Sequence, residues 1–189
     1  MDYFSIDGTA NECFVLFHGT GGNEYSLLQI AGDIAPEASI ISFLGNVGEG
    51  KARRFFAPLQ NGQVDRADLD AQVEAFLAQW DTIKPTKRVT FFGFSNGANF
   101  ILALLEKRPA IAERIVLLHP SNLHYTFAAG SEAQVIVTAG AMDPISIPGD
   151  TMKLTKQLQQ HFPNVSLKLL DGQHGVTDAE IDYLIGALK

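Results

Sequence analysis

The feature that most restricts this chain is a set of short runs rich in β-branched and aromatic residues, separated by helical patterns. The runs are Glu12 to Phe17, Ser39 to Leu44, Arg88 to Phe94, Arg114 to Leu118, Ala133 to Ala139 and Val165 to Leu170. A strand with one wet face alternates in polarity, whereas a strand buried on both faces is apolar on consecutive residues. Most of these runs are of the second kind, which predicts a parallel sheet covered on both sides. The covering helices are legible too. Leu69, Val73, Phe76, Leu77 and Trp80 form one apolar stripe, closed by Lys84-Pro85. Asn96 to Arg108 is apolar nearly all round, with Lys107 and Arg108 in its last turn and Pro109 just beyond, so it should be the most buried helix. Further helices are expected from Thr151 to Phe162, with Asp150 placed to cap it, and from Thr177 onward. There Thr177-Asp178-Ala179-Glu180 has capping-box spacing, and Ile181, Leu184, Ile185 and Leu188 supply the buried face. The alternation predicts an α/β fold of three layers, with about six or seven mainly parallel strands and helices on both faces.

Size and charge narrow the possibilities. A chain of 189 residues with 46% hydrophobic content fits one domain, residues 1–189, that needs no disulfide or metal staple. Its net charge of −7 repels phosphate backbones and anionic lipid, so no nucleic-acid partner is expected. No apolar run approaches the roughly 18 residues of a membrane span, and the acidic start lacks the pattern of a signal peptide. Cys13, the one cysteine, sits in an apolar run and is read as a buried packing residue suited to a reducing compartment. A cytoplasmic protein without integral membrane contact is the simplest expectation; a homodimer stays open.

Gly93-Phe94-Ser95-Asn96-Gly97 fits G-x-S-x-G. The pattern alone is weak, but this one falls where a buried strand meets a buried helix, the position of a nucleophile elbow. Such a turn strains the serine backbone and lifts its hydroxyl clear of the sheet, above a helix N-terminus that favours an oxyanion. A serine hydroxyl needs a base to take its proton and a carboxylate to orient that base. In this architecture the acid and then the histidine follow in chain order, each after a later strand. Asp143, after the run ending at Ala139, and His174, after the last run, meet that order. Asp171 reads as a turn former instead, His161 as part of a solvated helix face, His18 as a brace for its glycine loop, and His119 and His124 as possible rim residues. An oxyanion hole needs two N–H groups. Asn96 supplies one, and Thr20, in the early loop His18-Gly19-Thr20-Gly21-Gly22, is the best candidate for the second. The histidines show no cluster at metal-ligand spacing, so neither a metal nor another cofactor is expected.

Four stretches together, His18-Gly19-Thr20-Gly21-Gly22-Asn23-Glu24, Gly93-Phe94-Ser95-Asn96-Gly97-Ala98, Asp143-Pro144-Ile145 and His174-Gly175-Val176-Thr177, resemble the carboxylesterase/phospholipase group of α/β-hydrolases, which includes acyl-protein thioesterases. The resemblance implies Ser95, Asp143 and His174 as a catalytic triad, with Thr20 and Asn96 as oxyanion donors. Leu118-His119-Pro120-Ser121 departs from the small Ser-Gly pair of many relatives, so His119 is expected to narrow or polarise the rim as a substrate-binding residue. In the aperiodic stretch from Gly45 to Val64, Phe55 or Phe56 is expected to wall an acyl pocket while Arg53 or Arg54 meets a polar substrate end. The competing reading is a solvated arginine pair with two anchoring phenylalanines.

The expected activity is that of a serine carboxylesterase acting on a small-molecule ester, with thioesters or lysophospholipids as further substrates. Cofactor-free lyase, dienelactone-type or perhydrolase chemistry on the same triad is the alternative within the fold; a non-catalytic binding module is the alternative outside it. The segment from Pro120 to Glu132 is too short for an inserted helical cap domain.

Overall fold

A computed structural model describes residues 1–83 and 85–189. Lys84, expected with Pro85 to close a helix, lies outside the described residues. The elements run β1 (Tyr3–Ile6), β2 (Glu12–Phe17), α1 (Leu28–Ile34), β3 (Ser39–Phe43), a 3-10 turn at Gly50–Ala52, α2 (Arg66–Ile83), β4 (Arg88–Phe94), α3 (Asn96–Lys107), β5 (Arg114–Leu118), β6 (Gln134–Gly140), α4 (Pro148–Leu158), β7 (Asn164–Leu170) and α5 (Asp178–Ala187). Seven strands form one sheet in the order β1-β3-β2-β4-β5-β6-β7. Every neighbouring pair is parallel except β1 with β3. Residues 120–133, between β5 and β6, contain no helix or strand, so the fold carries no cap there.

Two apolar clusters sandwich the sheet. One joins residues of α2, α3 and α4 to one face, and the other joins α1 and α5 to the opposite face. Phe17 centres the first cluster, with ring centroids 5.3 to 6.1 Å from those of Phe43, Phe55, Phe76, Phe91 and Phe100. It lies at the C-terminal end of β2, so this packing fixes the loops that emerge there. Cys13 is buried as expected, and burial pushes its thiol up to about 11.

The chain departs from the sequence reading at its least periodic segments. β1 is a short, largely exposed edge strand, and its antiparallel pairing with β3 leaves no buried apolar run to recognise. α1 is seven residues long, buries only Ala31 and has no side-chain cap, which is too little for a helical period to show. α4 begins at Pro148, three residues early, because proline's fixed φ suits a first helical turn. Asp150 therefore lies inside that turn and pairs with Lys153 at 2.9 Å rather than capping it, and His161 falls beyond the helix. In α5 the buried positions are Glu180 and Leu184, while Ile181 and Ile185 are only half-buried.

α3 lies almost on top of the strands it follows. A Cβ on Gly97 would sit 2.0 Å from the Phe17 carbonyl oxygen, and one on Gly93 would sit 2.8 Å from the Ala98 nitrogen. Both clashes are with backbone, so no side chain can rotate to relieve them. Gly97→Ala is expected to destabilise the fold by about 3 kcal/mol or more, read as a lower urea midpoint; an unchanged midpoint would show that α3 does not need this approach.

Candidate active site

β2 and β4 are neighbours, but the chain leaves β2 toward β3 and leaves β4 toward β5, on opposite sides. That reversal opens a crevice at the strands' C-terminal ends, where open α/β sheets hold ligands. Ser95 stands at the end of β4 with φ 51° and ψ −111°, a sterically costly conformation for a non-glycine residue. Its N–H donates to the Leu118 carbonyl at 2.8 Å and its carbonyl accepts from Asn99 N–H at 2.9 Å, so the strained turn is held from both sides. The hydroxyl is free to turn to the imidazole of His174, with Oγ 2.8 Å from Nε2.

His174 reaches the serine from the loop after β7, and its Nδ1 donates to Asp143 Oδ2 at 2.7 Å. Asp143 follows β6 in a tight turn. Its Oδ1 accepts from the N–H groups of Ile145 (2.8 Å) and Ser146 (2.9 Å), leaving Oδ2 for the histidine. Burial works against the charge on Asp143, but the His174 bond, the two backbone bonds and a further histidine outweigh it and hold the pKa below the usual 3.8.

That further histidine is His119. It is 1% exposed, so the structure overturns the expectation that it borders the substrate. Its Nδ1 faces Asp143 Oδ2 at 3.1 Å and its Nε2 faces Glu180 Oε2 at 3.1 Å. A neutral imidazole donates through one nitrogen only, so contact with two carboxylates favours the imidazolium. Burial opposes that charge; hydrogen bonds and charge from Glu180 and then Asp143 outweigh burial and raise the pKa above 6.5. Glu180 was missed. The capping-box spacing assigned it to the helix end, yet only half of that motif forms: Thr177 Oγ1 accepts from Glu180 N–H at 3.3 Å while the carboxylate turns inward. The available signal was its place four residues before Leu184 and eight before Leu188, on the same buried stripe.

His18 behaves as a brace. Its Nε2 accepts from Gly45 N–H at 3.0 Å, which leaves Nδ1 to donate to the Gly19 carbonyl at 2.7 Å. Burial lowers its pKa, consistent with that neutral tautomer. Thr20 and Asn96 line one cavity with Ser95, of about 130 Å³, together with Arg54, Phe56, Leu59, Asn99, Ser121, Leu123 and Ile145. Phe56 is among the residues that line it. Phe55 is not: it is fully buried against Phe17, Phe100 and His18, so its role is to anchor the loop. A larger concavity of about 670 Å³ lies around Glu12, Pro36 and Leu188 and contains none of these groups. His119, Asp143 and His174 do converge in space, which their spacing in sequence did not reveal, and they meet through direct hydrogen bonds. His124 is exposed, and His161 packs against Phe127, outside the site.

No family model matches the chain. MhqD of Bacillus subtilis (strain 168) is 30% identical over 191 residues, spanning 96% of this chain and 94% of that protein. The carboxylesterase of Bacillus cereus superposes with a TM-score of 0.89 at 29% identity, covering 99% of this chain and 92% of that one. The esterase YpfH of Escherichia coli (strain K12) is 21% identical over 100% of this chain and 88% of its own length. The chain belongs to the carboxylesterase/phospholipase group of α/β-hydrolases. It is a hydrolase of the carboxylesterase type, in the cap-free form of the fold. Among the described residues, no helix is long and apolar enough to cross a membrane.

The sign of the Glu180 contribution is fixed by His119. Because His119 has a folded pKa above its unfolded 6.5, the stability it gains is fully present below that pH and is lost as pH rises through the folded value. Glu180→Gln is therefore expected to cost about 1.5–3 kcal/mol in urea unfolding near pH 6 and clearly less near pH 9. Equal losses at the two pH values would show that the pair is not ionic.

Proposed function

We propose that this protein is a serine carboxylesterase that hydrolyses short carboxylic esters through an acyl-enzyme on Ser95. The observation that carries the reading is the line Ser95 Oγ–His174 Nε2 at 2.8 Å and His174 Nδ1–Asp143 Oδ2 at 2.7 Å, mounted on a strained strand-to-helix turn. His174 takes the hydroxyl proton as Ser95 Oγ attacks the acyl carbon, and Asp143 fixes the imidazole tautomer and stabilises the imidazolium that forms. The charge developing on the carbonyl oxygen is met by the backbone N–H of Asn96, in the first turn of α3, and by that of Thr20 across the cavity. His174 then gives its proton to the departing alcohol, and a water activated by the same imidazole releases the acid.

The cavity favours small acyl groups. The cavity beside Ser95 has a volume of about 130 Å³, which suits a short acyl chain better than the long chain of a lysophospholipid. Short-chain esters, and thioesters of comparable size, are the substrates that fit.

Ser95→Ala is expected to lower kcat/KM for a short aryl ester by about a thousandfold or more, with an unchanged circular dichroism spectrum. Undiminished turnover in a folded alanine variant would remove Ser95 from the mechanism.

A further inference from the structure

The cavity beside Ser95 contains an unanswered positive charge. Arg54 is the one charged side chain lining it. Of the six arginines in the chain, Arg66, Arg88, Arg108 and Arg114 pair with carboxylates, and Arg53 donates to the Gly45 carbonyl at 3.0 Å. The Arg54 guanidinium has no hydrogen-bond partner among the described residues; it lies over the Phe56 ring at 5.7 Å, and its Nε is buried and unsatisfied. Leaving a buried donor unpaired costs free energy, and evolution had carboxylates to spare in a chain of net charge −7.

A second residue lining the cavity also carries an unpartnered buried donor. Asn96 Oδ1 accepts from Phe55 N–H at 2.8 Å, which fixes the amide orientation, and Asn96 Nδ2 is buried without an acceptor. The buried, unpartnered polar atoms on residues that line this cavity, Arg54 Nε and Asn96 Nδ2, are both donors. The position of Arg54 is also set before any ligand arrives: its backbone exchanges hydrogen bonds with Val47 at 2.8 and 3.1 Å, and Gly45 packs so close that a Cβ there would lie 2.5 Å from the Arg54 carbonyl oxygen. A fixed backbone with an unsatisfied fork suits a planar anion, which accepts two parallel N–H bonds.

We propose that this cavity is an anion subsite and that the substrate is a short ester bearing a carboxylate, held by Arg54, within a few atoms of the ester carbonyl. The proposal rests on the serine carboxylesterase reading above. The carboxylate can belong to the acyl part or to the alcohol part; both place the same chemistry against Arg54.

The test uses matched pairs that differ only in a methyl replaced by a carboxylate. Monoethyl succinate against ethyl butyrate probes the acyl side, and acetoxyacetate against ethyl acetate probes the alcohol side, each followed by proton release in a pH-stat. The wild type is expected to have the higher kcat/KM for the anionic member of one pair. Arg54→Gln should lower that anionic-to-neutral ratio by about tenfold or more, mainly through KM, and Arg54→Lys should fall between, retaining charge without the fork. A wild-type preference for the neutral member of both pairs, or a ratio that Arg54→Gln does not move, overturns the subsite. Fluorophosphonate labelling of Ser95 in the same preparations separates the two levels. Labelling with an insensitive ratio refutes the subsite alone, whereas an unlabelled Ser95 in the folded wild type refutes the hydrolase reading and the subsite with it.

Discussion

The Asp143 carboxylate is the group on which the site depends. Its two oxygens accept from Ile145 N–H, Ser146 N–H, His174 Nδ1 and His119 Nδ1, drawing together the loops after β5, β6 and β7. Buried at 3% exposure, it is tolerable as an anion only because each of these donors is in place. The second histidine belongs to this account as much as the first. His119 brings positive character to Asp143 Oδ2, the same oxygen that accepts from His174, and Glu180 on α5 in turn faces His119. The orientation of His174 is thus tied to a helix on the opposite face of the sheet from α3, through a row of buried polar groups rather than through the apolar core.

The other half of the site rests on close backbone packing. Gly97 lets α3 meet the end of β2, which brings the Ser95 turn beside the loop that begins at His18. His18 ties that loop to Gly45, and Phe55 N–H ties the following segment to Asn96. The segment from Gly45 to Arg54 is therefore ordered by the same residues that flank the serine. Its two adjacent phenylalanines divide the labour: Phe55 faces the aromatic core under β2 and Phe56 faces the cavity.

What could be read from the sequence was whatever local pattern specifies. Arg88 to Phe94, Arg114 to Leu118 and the buried α3 announced themselves by consecutive apolar residues, and Ser95, Asp143 and His174 by their place after β4, β6 and β7. What could not be read was specified by contacts across the fold. The meeting of Glu180 with His119 spans 61 residues, and the helix-cap spacing offered a local explanation that concealed it. In the same way, nothing local distinguishes Phe55 from Phe56 in an aperiodic loop, and the short β1 and α1 bury too little to leave a period. The capless connection between β5 and β6 was legible because its length alone forbids an insertion.

The central claim is that the Ser95 hydroxyl, activated by His174 and seated on the end of β4, carries the acyl group. Rapid quenching of the enzyme in the first turnovers of an activated short aryl ester, followed by intact-protein and peptide mass spectrometry, tests it directly. The account predicts one acyl group per chain, located on Ser95, appearing in a burst before steady turnover. Steady turnover with the acyl group on another residue, or with no burst and no adduct, would contradict it.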